Sequence, residues 1–122
     1  MESKVINEEE IKLTAKQLLK DIGIKIHFLG FKYWITAIVI ALKNDKETEE
    51  NLTMMALYSL VAKKHKTTAS KTERAMRYAY SELDLQNYFN VSYSINNTAL
   101  LFLLKEKVLE KDYEKHVINA PV

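Results

Sequence analysis

With 122 residues, 48% of them hydrophobic and 28% charged, the sequence fits one globular domain that can bury a core without covalent staples. Two glycines and one proline argue for long regular elements and against a turn-rich all-β fold. The absence of cysteine excludes disulfides, cysteine-ligated zinc and a cysteine nucleophile, and a net charge of +2 gives no uniformly basic body.

The opening MESKVINEEE is acidic and lacks the apolar segment of a secretory signal. From Glu8 to Ile22, Ile11, Ala15, Leu18, Leu19 and Ile22 recur at helical spacing, and Gly23 follows as a C-cap. Ile24 to Phe28 alternates apolar and polar, which predicts a short extended link closed by Gly30. Phe31 to Lys43 carries Trp34, Ile35, Ile38, Val39 and Leu42. Its β-branched run also suits a buried strand, but its length and lack of turn residues favour a central helix. The longest apolar run, Tyr33 to Leu42, is about half the ~20 residues that span a membrane. No membrane is therefore expected, and the protein is placed in the cytoplasm, at the nucleoid if it binds DNA.

Asn44 to Asn51 reads as a polar loop, and Leu52 to His65 as a helix with Leu52, Met55, Ala56, Tyr58, Ser59, Val61 and Ala62 on its packing stripe. Met54 and Met55 are expected to be flexible core fill. A break follows at Thr67 to Ser70. Ser70 and Glu73 have the spacing of a capping box, so the next helix is expected over about 71–83. On a wheel of about 100° per residue, Thr72, Ala75, Met76, Ala79, Tyr80 and Leu83 share one side, while Ser70, Lys71, Arg74, Arg77, Tyr78 and Ser81 share the other. Asp84 to Asn90 suggests a helical turn and Val91 to Ile95 an extended link. Asn96 and Asn97 can cap a last helix from Thr98 to about Asp112. The tail from Tyr113 to Val122 holds the single proline and is expected to fray. The whole reads as one all-α domain over 1–122, of about six helices, containing a helix-turn-helix.

Charge concentrates at that helix-turn-helix. Lys63, Lys64, Lys66, Lys71, Arg74 and Arg77 face a single acid, Glu73, giving +5 between Lys63 and Arg77 and a slightly acidic remainder. Arg74 and Arg77 are the only arginines in the chain and stand one turn apart on the outward side. A compact basic patch is the footprint of a protein that neutralises phosphates, and the guanidinium fork suits guanine edges in the major groove. Double-stranded DNA is the expected partner. Arg74, Arg77, Glu73, Lys71 and Tyr78 are the candidate base contacts, with Lys63, Lys64, Lys66, Thr68, Ser70 and Ser81 on phosphates. For Glu73, a capping carboxylate and an acceptor for a cytosine amino group remain alternatives.

The run VAKKHKTTASKTERAMRYA resembles the helix-turn-helix of the C-terminal effector domain of the stage zero sporulation protein A family, the sporulation response regulators. LKDIGIKIHFLGFKYWITA, Leu19 to Ala37, is similar to that domain's opening, with an IG turn and a Gly-aromatic helix start. Together they place the match over about 15–110. The resemblance implies an all-α domain of about six helices that binds short asymmetric DNA boxes, often as tandem copies, to activate or repress transcription. It also implies that Glu73, Arg74 and Arg77 contact bases or nearby phosphates. Lys71 stands where the family commonly has Arg, and Tyr78 where it commonly has His. In the family a phosphorylatable receiver domain precedes the effector domain. About fifteen residues precede the match here, and neither Asp21 nor Asp45 has a receiver pattern around it. Taken as a whole protein, the chain is expected not to be switched by phosphorylation in cis.

His27, His65 and His116 fall in separate elements, so no metal is expected. No glycine-rich phosphate loop and no Ser/His/Asp constellation occurs, so neither an enzyme nor a cofactor is expected. The alternative is an interaction module that pairs with a full-length sporulation regulator or competes for its sites, with LLFLL, residues 100–104, as partner surface. A homodimer or tandem binding on DNA is compatible with either reading.

Overall fold

The computed structural model describes residues 7–47 and 51–118, which form six helices and no strand. The first, α1 (Glu8–Ile22), has the expected bounds. The Asn7 side chain caps it by accepting from the Glu9 and Glu10 amides, three glutamates fill the positive first turn, and Gly23 ends it at φ 105°. Residues 24–28 turn rather than extend. Ile24 N–H returns to the Leu19 carbonyl and Phe28 N–H to that of Lys25, because no neighbouring strand offers these amides a partner.

The central helix α2 (Leu29–Glu47) starts two residues before Phe31, so Gly30 lies inside its first turn instead of closing a link. It also absorbs the first residues of the expected polar loop. Salt bridges from Lys43 to Glu8 (2.8 Å) and from Lys105 to Asp45 (2.9 Å) tie that polar end to the helices beside it. Residues 48–50 of the loop lie outside the described residues.

Helix α3 (Met54–His65) begins at a Thr53 cap rather than at Leu52. Its buried stripe is Leu57, Tyr58, Val61 and Ala62. Met55, Ala56 and Ser59 face outward, Met55 at 69% exposure, so the expected stripe was rotated and Met55 is not core fill. Helix α4 (Ala69–Tyr78) is followed by turns over residues 79–83 and by α5 (Leu85–Phe89), capped by Asp84. The last helix, α6 (Asn97–Ile118), runs six residues beyond Asp112, so residues 113–118 are helical rather than frayed. Lys115 reaches Glu10 at 3.4 Å and fastens this extension to α1. Residues 119–122 lie outside the described residues. Within LLFLL, Leu100, Leu101 and Leu104 are buried and only Phe102 is exposed, so most of that run is core rather than partner surface.

Helix α2 packs against α1, α3, α4 and α6, and Trp34, Ile38 and Ala37 on it are fully buried. Leu18 and Leu19 of α1, Val61 of α3, Met76 of α4 and Leu100 and Leu104 of α6 close the core around them. Burial of this amphipathic set holds the helices, since isolated helices of ten to fifteen residues are marginal in water. At Gly30 the backbones of α2 and α4 touch: a Cβ there would lie 2.3 Å from the Ala75 carbonyl oxygen and 2.7 Å from the Ala79 Cβ. Only glycine permits that approach.

One core position is imperfect. Thr72 is fully buried and its hydroxyl has no hydrogen-bond partner among the described residues. Replacing the hydroxyl by a methyl removes an unpaid desolvation, so Thr72→Val is expected to stabilise the fold by about 1 kcal/mol. Urea unfolding measures this, and a loss of stability would show that the hydroxyl is satisfied in solution.

Candidate nucleic-acid interface

Three residues join α3 to α4. Lys66 adopts the left-handed conformation at φ 57° and ψ 49°, its N–H closing on the Ala62 carbonyl, and Thr67 N–H reaches the same oxygen at 3.0 Å. The chain reverses there, and the Thr68 hydroxyl caps α4 by accepting from the Lys71 amide at 3.1 Å. The cap is therefore Thr68 and not Ser70, and α4 begins at Ala69. Capping at Thr68 leaves Glu73 two positions beyond the capping-box position, which Lys71 holds, and its carboxylate turns along the helix instead.

The inward side of α4 is as the wheel predicts. Thr72, Met76, Ala79 and Tyr80 are buried, with Ala75 and Leu83 half-buried. The outward side carries Ser70, Lys71, Arg74, Arg77 and Tyr78, and Ser81 follows in the turn after it; all six are exposed. Lys63, Lys64 and Lys66 are exposed at the C-terminal end of α3, where their charge complements the helix dipole. The helix-turn-helix thus gathers every basic candidate onto two consecutive helix ends and one helix face.

Its side chains are differently engaged. Arg77 grips Glu73 with both arms of its fork, Nε to Oε1 at 2.9 Å and Nη2 to Oε2 at 3.3 Å. That hydrogen bond, reinforced by the charges of Arg77 and Arg74, holds the Glu73 carboxyl below its ordinary range and raises Arg77. Arg74 and Lys71 make no ion pair among the described residues. The Tyr78 ring leans on Phe28 with centroids 5.3 Å apart, and the Ser81 hydroxyl donates to the Tyr78 carbonyl. The expected recognition helix ran to Leu83, but α4 stops at Tyr78. The Met76 carbonyl is taken by the Trp34 indole N–H at 2.9 Å, which satisfies one of the orphan acceptors of the helix end from outside the helix.

A buried polar cluster behind α4 was not visible in the sequence. Asn97, at the start of α6, donates from Nδ2 to the Tyr58 hydroxyl (3.0 Å) and to the Glu73 carbonyl (3.3 Å), while its Oδ1 accepts from the Tyr80 hydroxyl (2.7 Å). One amide thus joins α3, the middle of α4, the turn that follows it and α6. Read from sequence, Asn97 was simply a cap candidate; the observed cap is Asn96, which accepts from the Ala99 amide.

The histidines serve packing where they are described. His65 Nε2 meets the Thr36 hydroxyl at 2.8 Å, its ring lies on Tyr33, and burial together with Lys32 and Lys64 pushes its pKa down. No group of three metal-ligating side chains occurs among the described residues, and no helix of them is long and apolar enough to cross a membrane.

A family model described as "Sporulation initiation factor Spo0A C terminal" matches residues 15–107. No solved structure matches the chain.

Proposed function

Since the chain belongs to the family of the Spo0A C-terminal domain, a helical DNA-binding regulatory family, we propose that it is a sequence-specific regulator of transcription that lays α4 in the major groove. The observation that carries this reading is the outward face of α4, where both arginines of the chain, a lysine and a tyrosine stand exposed on a helix whose other side is locked into the core. Arg74 and Lys71 are the contacts nearest to hand. Arg77 joins them by leaving Glu73, and Glu73 then becomes available as an acceptor for a base amino group. Lys63, Lys64, Lys66, Thr68, Ser70 and Ser81 flank the face and bind phosphates, setting register without reading sequence.

The test is a binding titration on duplexes selected from a randomised pool, repeated over a range of salt. Arg74→Ala and Arg77→Ala are each expected to cost about 1–3 kcal/mol on the selected sequence and to relax the base preference. Lys64→Ala should weaken all sequences alike and reduce the log–log salt slope by about 1. Arginine variants that bind and discriminate as the parent does would remove α4 from the interface.

A second reading, an interaction module for a full-length sporulation regulator or for another copy, keeps some support from Phe102, Leu109 and Tyr113. These exposed residues lie along one side of α6, away from the core. Retention of the regulator by the purified chain without DNA would favour it.

A further inference from the structure

Beside the reading face lies a groove of about 530 Å³ between the turn that enters α2 and the outer flank of α4. Phe28, Leu29, Tyr33, Ala75 and Tyr78 wall it, and Lys71 and Arg74 stand among its lining residues. The size falls in the range of about 300–1,000 Å³ typical of small-molecule sites. We propose that this groove binds a small amphipathic anion, an aromatic or acyl body carrying one acidic head group, and that the bound anion withdraws Lys71 and Arg74 from DNA.

Three features select that chemistry. The walls are apolar and wet: Leu29 is 57% exposed and Tyr78 62%, so an apolar body placed between them removes hydrocarbon from water on both sides. The walls are also held in place, because the Phe28 ring sits between His27, at 4.9 Å, and Tyr78, at 5.3 Å. Little ordering is then left for a ligand to impose. Finally, the groove has positive charge with no counter-charge. None of its lining residues is acidic, and neither Lys71 nor Arg74 is ion-paired among the described residues, unlike Arg77, which is held by Glu73 and does not line the groove. A polar phosphodiester chain would satisfy the cations but leave the apolar walls in water, whereas an amphipathic anion meets both.

The groove itself stands on its own geometry; the competition with DNA rests on the reading of α4 given above. Sharing two cations makes the two ligands mutually exclusive there, and such coupling is reciprocal.

The probe is 8-anilinonaphthalene-1-sulfonate, titrated by fluorescence into the full 122-residue chain without DNA, with N-phenyl-1-naphthylamine as its uncharged counterpart. One saturable site is expected. Leu29→Ser and the Lys71→Ala/Arg74→Ala pair should each weaken it about tenfold, the effect of losing one buried apolar side chain or the charge contact. Phe102→Ser on the distant face of α6 should leave it within about twofold. Equal binding of the uncharged probe, indifference to Leu29→Ser, or loss through Phe102→Ser would overturn the site. Fluorescence that falls as the protein concentration rises would give the groove to a second copy and overturn it likewise. In the second arm, saturating sulfonate should raise the apparent Kd for a bound duplex about tenfold or more. A duplex Kd that does not move overturns the competition. A protein that binds no duplex at all refutes the reading of α4, while the first arm still decides the groove.

Discussion

Trp34→Ala is expected to destabilise the protein by about 3–5 kcal/mol, the range for truncating a fully buried aromatic. Trp34 has no exposed surface, lies on the helix that all the long helices touch except its own, and meets the Tyr80 ring edge to face at 6.2 Å. Alanine would leave a cavity in the middle of the core and, in addition, an unpaired Met76 carbonyl. A domain of ordinary stability has only about 5–15 kcal/mol in total, so the loss takes a large share of it. Trp34→Phe separates the two contributions. It keeps most of the apolar volume and loses the indole N–H, so about 1–2 kcal/mol is expected. Urea midpoints give both values. A phenylalanine variant as unstable as the alanine variant would mean that the hydrogen bond, not the packing, dominates this position.

Asn97→Leu is expected to cost about 2–4 kcal/mol, because two phenol hydroxyls and the Glu73 carbonyl lose their shared partner inside the core. The change is expected to reach duplex binding as well as stability, since Asn97 holds the middle of α4 through the Glu73 carbonyl and the turn after it through Tyr80. Duplex affinity of the folded variant should fall even though no outward side chain has been altered. The cluster also predicts alkaline behaviour. Burial, with Tyr58 adding to it, pushes the Tyr80 pKa up from 10 to about 12. A group held protonated in the folded state contributes fully below its unfolded pKa, so stability should be intact below pH 10 and be lost as pH rises through about 12. An unfolding midpoint that is flat across that window would show that Tyr80 is not buried as described.

The two sides of α4 were legible in the sequence because burial there follows a 3.6-residue period, and Thr72, Met76 and Ala79 obey it. The first helix was legible to its ends, since Asn7, three glutamates and Gly23 mark them chemically. The end of α4 was not. Residues 79–83 keep the helical pattern of apolar positions, but the Trp34 indole claims the Met76 carbonyl and Tyr80 turns inward to Asn97, both from elements distant in sequence. The same cause extended α2 and α6: salt bridges at Lys43, Asp45 and Lys115 come from other helices and leave no local mark. In α3 the apolar residues are dense enough to draw more than one stripe, and only the neighbouring helices choose Leu57 over Met55. At the interface, composition found the cations and the family resemblance found their order. The i, i+4 spacing of Glu73 and Arg77 offers their ion pair as one alternative, but neither composition nor resemblance could reveal that Thr68 is the cap or that an apolar groove opens beside Lys71.

The contact at Gly30 sets how the outward face can change over time. Main chain comes up against main chain there, so α4 is seated in part by atoms that every residue type shares, beside the buried Thr72 and Met76 on its inward side. Exposed positions such as Lys71, Arg74 and Tyr78 contribute little to that seating, and surface exchanges of this kind usually move stability by no more than about 0.5 kcal/mol. On the proposed reading of α4, new target preferences are therefore open to this scaffold without a compensating change in its interior. Gly30 itself has no such freedom: a side chain at that one position would tilt the whole face at once.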